Sequence, residues 1–271
     1  MSAHAYPPAV WRLLREERPN DGAYNLAVDE AILRAVVAQL APPTLRLYTW
    51  EPAVTLGRGQ PVADIAQEVL RAHGYRLLRR PTGGTAVLHG DELTYSVAVP
   101  DDDPRVAGDI VASYRRLSRP ILSALRAVGV SRVAAMSHSE NRRMRSPVCF
   151  EISSDYEITV DDRKLVGSAQ MRVRGGILQH GSIPLSGDIA HIGELLVARI
   201  HPERIRGRAT TLEEALRHPI SRRTLEEALV SAFGEILNLE LQPGSLLLEE
   251  RMVAERLVAE KYGNRAWTAR H

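Results

Sequence analysis

The run from Tyr156 to Leu185 constrains the fold more than any other part of this sequence. It contains three stretches rich in β-forming residues, separated by the short turn sequences Asp161-Asp162 and Gly175-Gly176. Strands joined by turns this short pair with their neighbours in an antiparallel manner. The run therefore predicts a three-stranded meander over 156–160, 164–173 and 177–185, and with it an antiparallel or mixed sheet.

The middle strand of this meander combines charged residues with small ones. Strict alternation assigns its residues to two faces: Lys164, Val166, Ser168, Gln170 and Arg172 on one, and Leu165, Gly167, Ala169, Met171 and Val173 on the other. The small residues over 167–169 leave room for a ligand or another backbone to approach the sheet. We therefore expect a binding site beside this strand.

Helical and β-rich segments alternate before the meander. Their spacing predicts helices over 22–40, 64–73 and 109–128, and strands over 44–50, 54–56, 75–80 and 92–99. Asn20 and Asp21 offer an N-cap for the first helix, and Gly74 a stop for the second. Pro120 is expected to bend the third helix. This order of elements is typical of an α/β (α+β) protein.

The chain beyond Gly187 is predicted to be mainly helical. Helices are expected over 191–199, 212–216, 224–237 and 246–262, with a short strand over 239–241. A Thr211–Glu214 capping box precedes the second of them. We expect a main domain over 1–210, built on a mixed, mostly antiparallel sheet flanked by helices. A mainly helical C-terminal segment over 211–271 should pack on it.

Composition excludes several classes of protein. Of the 271 residues, 44% are hydrophobic and 25% charged, which is typical of a soluble globular protein. No apolar run approaches the roughly 18 residues of a membrane helix, and no apolar signal-peptide segment appears, so we expect a cytoplasmic protein without membrane contact. The net charge of +2 and the lack of RNA or DNA motifs argue against a nucleic-acid partner. The nine histidines show no metal-ligand spacing, so no metal is expected.

Two residues of rare type lie close together in the sequence. Cys149 is the only cysteine, and Lys164 is one of two lysines in a chain with 35 lysines and arginines. The cysteine is either a small buried hydrophobic residue or a reactive thiol. The lysine is either an ordinary surface residue or a position that needs a compact, titratable ammonium. A polar, arginine-rich loop over 137–147 precedes the cysteine, and it is either simply solvated or attracts an acidic partner.

A second informative stretch, RRPTGGTAVLHGDELTYS, runs from Arg79 to Ser96. Its glycines let backbone N–H groups approach a ligand, and Arg79 or Arg80 can pair with an anionic group on that ligand. Spacing alone favours a plain hairpin, because Gly-Gly is a strong turn sequence. His89 equally fits a structural histidine whose hydrogen bonds are satisfied.

Several motifs, taken together and in order, are specific. They are NLAVDEAIL from Asn25, RRPTGGTAVLHGDELTYS from Arg79, SPVCFE from Ser146, and KLVGSAQMR with LQHGSI between Lys164 and Ile183. In this order they resemble the biotin/lipoate protein ligase catalytic-domain superfamily. The chain is most similar to the octanoyltransferases of the LipM type within that superfamily, and the resemblance covers nearly its whole length.

The resemblance implies an acyltransferase that needs no cofactor. An octanoyl chain carried as a thioester on acyl carrier protein would pass through Cys149 to a lysine of a lipoyl-domain protein, typically the glycine-cleavage H protein. Lys164 would supply the charge that favours the Cys149 thiolate. An apolar cleft would open between the Gly-Gly loop and the meander. The implied substrate-binding residues are Arg80, Thr82, Gly83, Gly84, Thr85, His89, Gly167, Ser168, Ala169, Gly181 and Ser182.

Three alternatives stay open at this point. An ATP-dependent lipoate–protein ligase would share the fold and the RRxxGG element but would form an acyl-adenylate without using Cys149. An amidotransferase that takes octanoyl from the H protein would also use a cysteine, with a different donor. A non-catalytic lipoyl- or biotinyl-like binding module would keep the fold, with Cys149 as a buried hydrophobic residue.

Overall fold

A computed structural model of the chain describes residues 5–136 and 157–270. Its strands are β1 Ala9–Arg15, β2 Thr44–Tyr48, β3 Ala53–Leu56, β4 Arg76–Arg79, β5 Val87–His89, β6 Glu92–Val99, β7 Val133–Met136, β8 Glu157–Val160, β9 Arg163–Val173, β10 Gly176–Pro184 and β11 Leu239–Pro243. Its α-helices are α1 Gly22–Val37, α2 Gln67–Ala72, α3 Ile110–Ala127, α4 Pro202–Arg206, α5 Leu212–Leu216, α6 Arg222–Leu237, α7 Leu248–Leu257 and α8 Arg265–Thr268.

The strands form a large and a small sheet. The large sheet has eight strands in the order β11-β1-β2-β6-β10-β9-β8-β7, and the small one has the order β4-β3-β5. Strand β1 runs parallel to both of its neighbours, β11 and β2, and β3 runs parallel to β4. The other pairings are antiparallel. The predicted mixed, mostly antiparallel sheet flanked by helices is confirmed.

The two faces of the large sheet are covered by different helices. On one face α3 and α6 pack over a core that includes Tyr95, Leu117 and Phe233. On the other face lies α1, which is itself covered by α7. Nearly every residue of α1 is therefore buried. As predicted, Asp21 caps this helix, because its side chain accepts a hydrogen bond from the Ala23 amide at 2.9 Å.

The predicted meander is present as β8, β9 and β10. Asp161 and Asp162 both adopt left-handed conformations, with φ of 49° and 62°, as a two-residue hairpin turn requires. The second turn lies one residue earlier than predicted, at Arg174 and Gly175, because Val173 pairs with Gly176. Gly175 supplies the positive φ of 87° in that turn.

A β-bulge in β9 overturns one prediction made from alternation. Ile158 pairs with Val166 and its neighbour Thr159 pairs with Lys164, so Leu165 is an extra residue without a partner. Paired residues project to the same face, and consecutive residues on β8 project to opposite faces. Lys164 therefore lies on the face opposite Val166, not on the same face as predicted.

The predicted Gly-Gly hairpin is also wrong. Strands β4 and β5, on either side of Gly83 and Gly84, do not pair with each other, because β3 lies between them and pairs with both. The segment 80–86 is thus a crossing loop over the end of the small sheet. Gly57 ends β3 directly below this loop, where a Cβ atom would overlap the carbonyl oxygen of Gly84.

Several predicted helices are shorter than expected. The first ends at Val37, the second is reduced to α2, and the segment expected as a helix over 191–199 is a 3₁₀ helix over Ile189–Leu195. The last predicted helix is α7 followed by a π-helical turn over Val258–Tyr262. Strands β1, β5 and β7 and helices α4 and α8 were not predicted. Strand β1 is a run of apolar residues interrupted by Arg12, so it shows no clear alternation of polar and apolar residues.

Strand pairing, a buried ion pair and hydrogen bonds from α8 help to tie the C-terminal segment to the rest of the chain. Strand β11 extends the large sheet beside β1, and Glu250 of α7 forms a buried ion pair with Arg12 at 2.5 Å. In α8 the indole of Trp267 donates to the carbonyl of Arg79 at 2.8 Å, and the Arg79 guanidinium donates to the carbonyl of Thr268 at 2.9 Å. Within residues 5–136 and 157–270 the structure contains no helix long and apolar enough to cross a bilayer.

Candidate active site

A cleft lies between the small sheet and the strands β9 and β10. Seven of the residues that the resemblance implied form part of its wall: Arg80, His89, Gly167, Ser168, Ala169, Gly181 and Ser182. The cleft is also the feature expected between the Gly-Gly loop and the meander.

Six further wall residues were not predicted. Leu26, Trp50 and Val87 contribute apolar surface, and Thr55, Thr94 and His180 contribute polar groups. They come from α1, β3, β5, β6, β10 and the residue pair after β2. His180 lies within the LQHGSI motif and could have been chosen there, whereas nothing in the sequence near Trp50 or Thr55 indicates a site.

Arg80 determines the shape of the loop that follows it. Its Nη2 donates to the carbonyls of Gly83 and Thr85, each at 2.8 Å, and its Nη1 donates to the carbonyl of Thr55 at 3.1 Å. The predicted residues Thr82, Gly83, Gly84 and Thr85 do not themselves line the cleft. Their loop borders it, and the positive φ of Gly84, 91°, lets the chain turn there.

The hydroxyl of Ser168 points away from the cleft. It is 2.8 Å from the hydroxyl of Tyr95, on the face of the sheet covered by α3 and α6. Burial raises the pKa of Tyr95, so its hydroxyl stays neutral. A Cβ at Gly181 would collide with this tyrosine ring and with Ser168. Gly181 is therefore explained by packing on the far face, and Ser168 and Gly181 contribute mainly backbone to the cleft.

His89 is held on three sides. Its Nδ1 is 2.5 Å from Oε1 of Glu92, and its Nε2 is 2.8 Å from the hydroxyl of Thr55. The imidazole stacks on the indole of Trp50, with ring centroids 3.9 Å apart and planes 15° apart. All of its polar atoms are occupied, so the structural role considered from the sequence is real, and the ring also faces the cleft.

Glu92 is buried and accepts hydrogen bonds from several side chains. Besides His89, the hydroxyl of Thr94 donates to it at 2.8 Å, and the hydroxyl of Ser182 also donates to it. Thr94 in turn accepts a hydrogen bond from the indole of Trp50 at 3.0 Å. The resulting chain of hydrogen bonds runs along the wall of the cleft.

His180 connects the cleft to a second buried cluster beneath α1. Its Nε2 is 2.7 Å from the hydroxyl of Thr82, and its Nδ1 is 3.5 Å from Asp29. Asp29 forms an ion pair with Arg46 at 2.7 Å. Burial disfavours the Asp29 carboxylate, but the charge of Arg46 and hydrogen bonds from His180 and Ser96 hold its pKa below the usual value.

Lys164 is buried and forms an ion pair with Glu157, its neighbour across the hairpin. Its backbone is fixed by the segment before α5, since its amide donates to the carbonyl of Arg208 at 2.7 Å. The bulge at Leu165 puts Lys164 on the same face of β9 as Gly167 and Ala169, both in the wall of the cleft. The reading of Lys164 as an ordinary surface lysine is therefore wrong.

Cys149 and the arginine-rich loop over 137–147 lie outside the described residues. The contact between Cys149 and Lys164 stays a prediction for that reason. Within residues 5–136 and 157–270, no group of three or more His, Cys, Asp or Glu side chains is arranged to hold a metal ion.

Comparison with known proteins identifies the family. Residues 21–234 match the family model of the lipoyl protein ligase A/B catalytic domain. The chain belongs to this family. The matched range begins at the N-cap of α1 and ends in α6, so it includes every described residue in the wall of the cleft. The fold and the family expected from the motifs are confirmed.

Relatives within the lipoyl protein ligase A/B family match over nearly their whole length. A protein of Kyrpidia tusciae named octanoyltransferase LipM is 42% identical over 96% of this chain and 99% of its own. Another octanoyltransferase LipM, from Symbiobacterium thermophilum, is 40% identical over 96% of this chain and 98% of its own. The resemblance to LipM-type octanoyltransferases is thus confirmed as well.

Solved structures of the family share the fold. A bipartite lipoate protein ligase from Thermoplasma acidophilum, described together with its E2 lipoyl domain, superposes with a TM-score of 0.80 at 23% identity, over 96% of each chain. A lipoate-protein ligase A bound with ATP superposes with a TM-score of 0.79 at 24% identity, over 97% of this chain and 99% of the other. At these identities the likeness establishes the architecture alone.

Proposed function

We propose that this protein is an octanoyltransferase of lipoate assembly that works through a thioester on Cys149. It takes octanoyl from acyl carrier protein and transfers it to a lysine of a lipoyl-domain protein, such as the glycine-cleavage H protein. The observation that carries the proposal is the match, at 35–42% identity over at least 90% of the chain, to relatives named octanoyltransferase LipM.

The cleft is suited to an acyl chain. Leu26, Trp50 and Val87 supply apolar wall, and Gly167 and Gly181 let a chain lie close to the backbone of β9 and β10. Each methylene removed from water contributes about 0.8 kcal/mol to binding. In this proposal the carbonyl end of the octanoyl chain lies toward the polar part of the wall, where Arg80 and His89 are found.

Lys164 is proposed to favour the Cys149 thiolate. A free cysteine titrates near 8.5, and a neighbouring ammonium stabilises the charged form. Glu157 keeps the ammonium of Lys164 in a fixed, buried position on the cleft face of β9. Its location on the face of β9 that also carries the cleft residues Gly167 and Ala169 supports the proposal.

Two acyl transfers make up the proposed reaction. In the first, the Cys149 thiolate attacks the thioester of acyl carrier protein, and one thioester replaces another of similar energy. In the second, the lysine amine attacks the enzyme thioester and forms an amide, which is the more stable product. Neither step requires ATP or a cofactor, and the oxyanion of each tetrahedral intermediate needs hydrogen-bond donors close to the carbonyl.

Incubation with octanoyl-acyl carrier protein, followed by intact-mass measurement, tests the proposal. We expect a hydroxylamine-sensitive octanoyl adduct on the wild-type protein and none on Cys149→Ala. Addition of the H protein should then remove the adduct and octanoylate the H protein. A wild-type protein that acquires no adduct would contradict the proposal and favour a binding module.

The remaining alternatives give different results in the same assay. Octanoyl-H-protein as donor, with acyl carrier protein inactive, would indicate the amidotransferase. Lipoylation that requires ATP and survives Cys149→Ala would indicate a lipoate–protein ligase.

A further inference from the structure

The tautomer of His89 decides which of its ring nitrogens donates and which accepts a hydrogen bond. A carboxylate can only accept, so the Nδ1 of His89, 2.5 Å from Glu92, carries the hydrogen. In the neutral tautomer the Nε2 atom is the acceptor and receives the hydroxyl hydrogen of Thr55 at 2.8 Å. The lone pair of Nε2 then points to a hydroxyl in the wall of the cleft.

We propose that Thr55, His89 and Glu92 form the relay that takes the proton from the acceptor lysine in the second acyl transfer. Thr55 and His89 are the groups that move the proton, and Glu92 is a positioning residue that acts through His89. The arrangement of carboxylate, imidazole and hydroxyl is the one that activates nucleophiles in acyl transfer elsewhere. This inference rests on the proposed function.

The second acyl transfer forms one bond, breaks another and moves one proton. The amine nitrogen forms a bond to the thioester carbonyl carbon, and the bond between that carbon and Sγ of Cys149 breaks. The proton lost by the nitrogen passes to the oxygen of Thr55 while the hydrogen of Thr55 moves to Nε2 of His89. The sulfur leaves as a thiolate, and the proton on His89 later neutralises it.

Glu92 suits the role of positioning residue. It is 3% exposed, and the hydroxyls of Thr94 and Ser182 hold its two oxygens. Its orientation is therefore fixed, and it keeps Nδ1 of His89 protonated. A carboxylate at this atom also stabilises the imidazolium that forms when the ring receives a proton.

His89 is buried, and its ring lies between two clefts. It lines the acyl cleft, and together with Glu92 it also lines a second cleft whose wall includes Asp91, Asp188 and His191. The other charged or titratable groups that face the relay are Arg80, which contacts the hydroxyl of Thr55 at 3.4 Å, and His180 across the acyl cleft. The variants described below change only Thr55, His89 or Glu92 and leave the surrounding charged groups in place. A difference in rate among these variants therefore reports on the relay.

Separate measurement of the two half-reactions tests the relay. Octanoyl-acyl carrier protein loads Cys149, the donor is removed, the H protein is added, and intact masses are followed in time between pH 6 and pH 9. In His89→Gln we expect transfer to slow by about 10²- to 10⁴-fold, a loss much larger than any change in the loading rate. His218→Gln, an exposed histidine outside both clefts, is the matched control and should behave as wild type in both steps.

The pair Thr55→Val and Thr55→Ser leaves His89 intact and examines the hydroxyl alone. The valine variant keeps the shape and should lose transfer, whereas the serine variant should retain it. Glu92→Gln should slow transfer by at least about tenfold, and Glu92→Asp should recover part of that loss.

Each outcome decides between the two proposals. If the wild type forms a thioester but His89→Gln or Thr55→Val transfers octanoyl as fast as wild type, the relay is wrong and the proposed function stands. If His89→Gln folds but no longer loads octanoyl, His89 belongs to acyl binding and the relay is also wrong. If the wild type itself forms no thioester, the proposed function fails and the relay fails with it.

Discussion

Two buried polar clusters lie on the same face of the large sheet and differ in what covers them. Strand β6 contributes Ser96 to the first, which lies beneath α1 and contains Asp29 and Arg46. The same strand contributes Glu92 and Thr94 to the second, which opens on the cleft. The two clusters are therefore only a few residues apart along one strand.

In the cluster beneath α1, the buried guanidinium of Arg46 pairs with carboxylates. In the cluster that opens on the cleft, the carboxylate of Glu92 has no arginine or lysine among its described partners. Arg46 is fully buried and pairs with both Asp29 and Glu16, at 2.7 and 2.6 Å. The described donors to Glu92 are the imidazole of His89 and the hydroxyls of Thr94 and Ser182, without an arginine or lysine among them. The comparison suggests that the first cluster maintains the fold and that the second is arranged for proton transfer.

Removal of Asp29 should have the largest effect on stability. Asp29→Ala leaves the buried guanidinium of Arg46 short of a partner, and breaking a buried pair in this way costs about 3–5 kcal/mol. Urea unfolding at pH 7 measures the loss. Glu227→Ala, which removes an exposed partner of Arg223, is the control and should leave the midpoint unchanged. If the urea midpoint of Asp29→Ala equalled that of Glu227→Ala, the cluster beneath α1 would not be needed for stability. The distinction between the two clusters would then be lost.

The variant Glu92→Gln should lower the free energy of unfolding much less than Asp29→Ala does. The amide keeps an oxygen for Nδ1 of His89, and the hydroxyl of Ser182 can reverse its hydrogen bond, so a loss of about 1 kcal/mol is expected. The same urea titration measures it. A loss as large as that of Asp29→Ala would mean that the open cluster also maintains the fold, and the distinction between the two clusters would be lost.

Acid should reduce the difference between the wild type and Asp29→Ala. The pKa of Asp29 is depressed in the folded protein, so its contribution to stability is complete above the unfolded value of about 3.9 and is lost as the pH falls through the folded value. We therefore expect the gap in urea midpoints to be constant from pH 7 to about pH 5 and to shrink below about pH 4. A gap that widens on acidification would contradict the assigned ionisation of Asp29.

The sequence predicted the parts of the site that depend on motifs and local patterns. Arg80, His89 and the small residues of β9 and β10 were identified, and they line one cleft. Asp29 and Glu92 were missed as functional or structural centres. A carboxylate in a helix or strand has the same local pattern whether it is solvated or paired, and the partner of Asp29, Arg46, lies 17 positions away along the chain.

Two errors have a topological origin. The hairpin at Gly83-Gly84 was a sound local reading, but β3, which precedes both flanking strands in the sequence, occupies the position between them. The face of Lys164 was inverted by a single extra residue, Leu165, and nothing in an alternating sequence indicates where a bulge falls. Both depend on pairing between strands, which spacing within one strand cannot reveal. The role of Cys149 stays a prediction, as does the division of the chain into a main domain and a C-terminal segment at residue 211.

The contact between α8 and Arg79 has a practical consequence for engineering. Arg79 is buried, its guanidinium also holds the carbonyls of Gly57 and Gln60, and the next residue is Arg80, which shapes the cleft. Trp267 and Thr268 therefore support the loop beside the cleft from the far end of the chain. A truncation or a fusion partner placed just after Tyr262 should change substrate handling without touching a single residue of the cleft, so a tag at that position is a poor choice for assays of this enzyme.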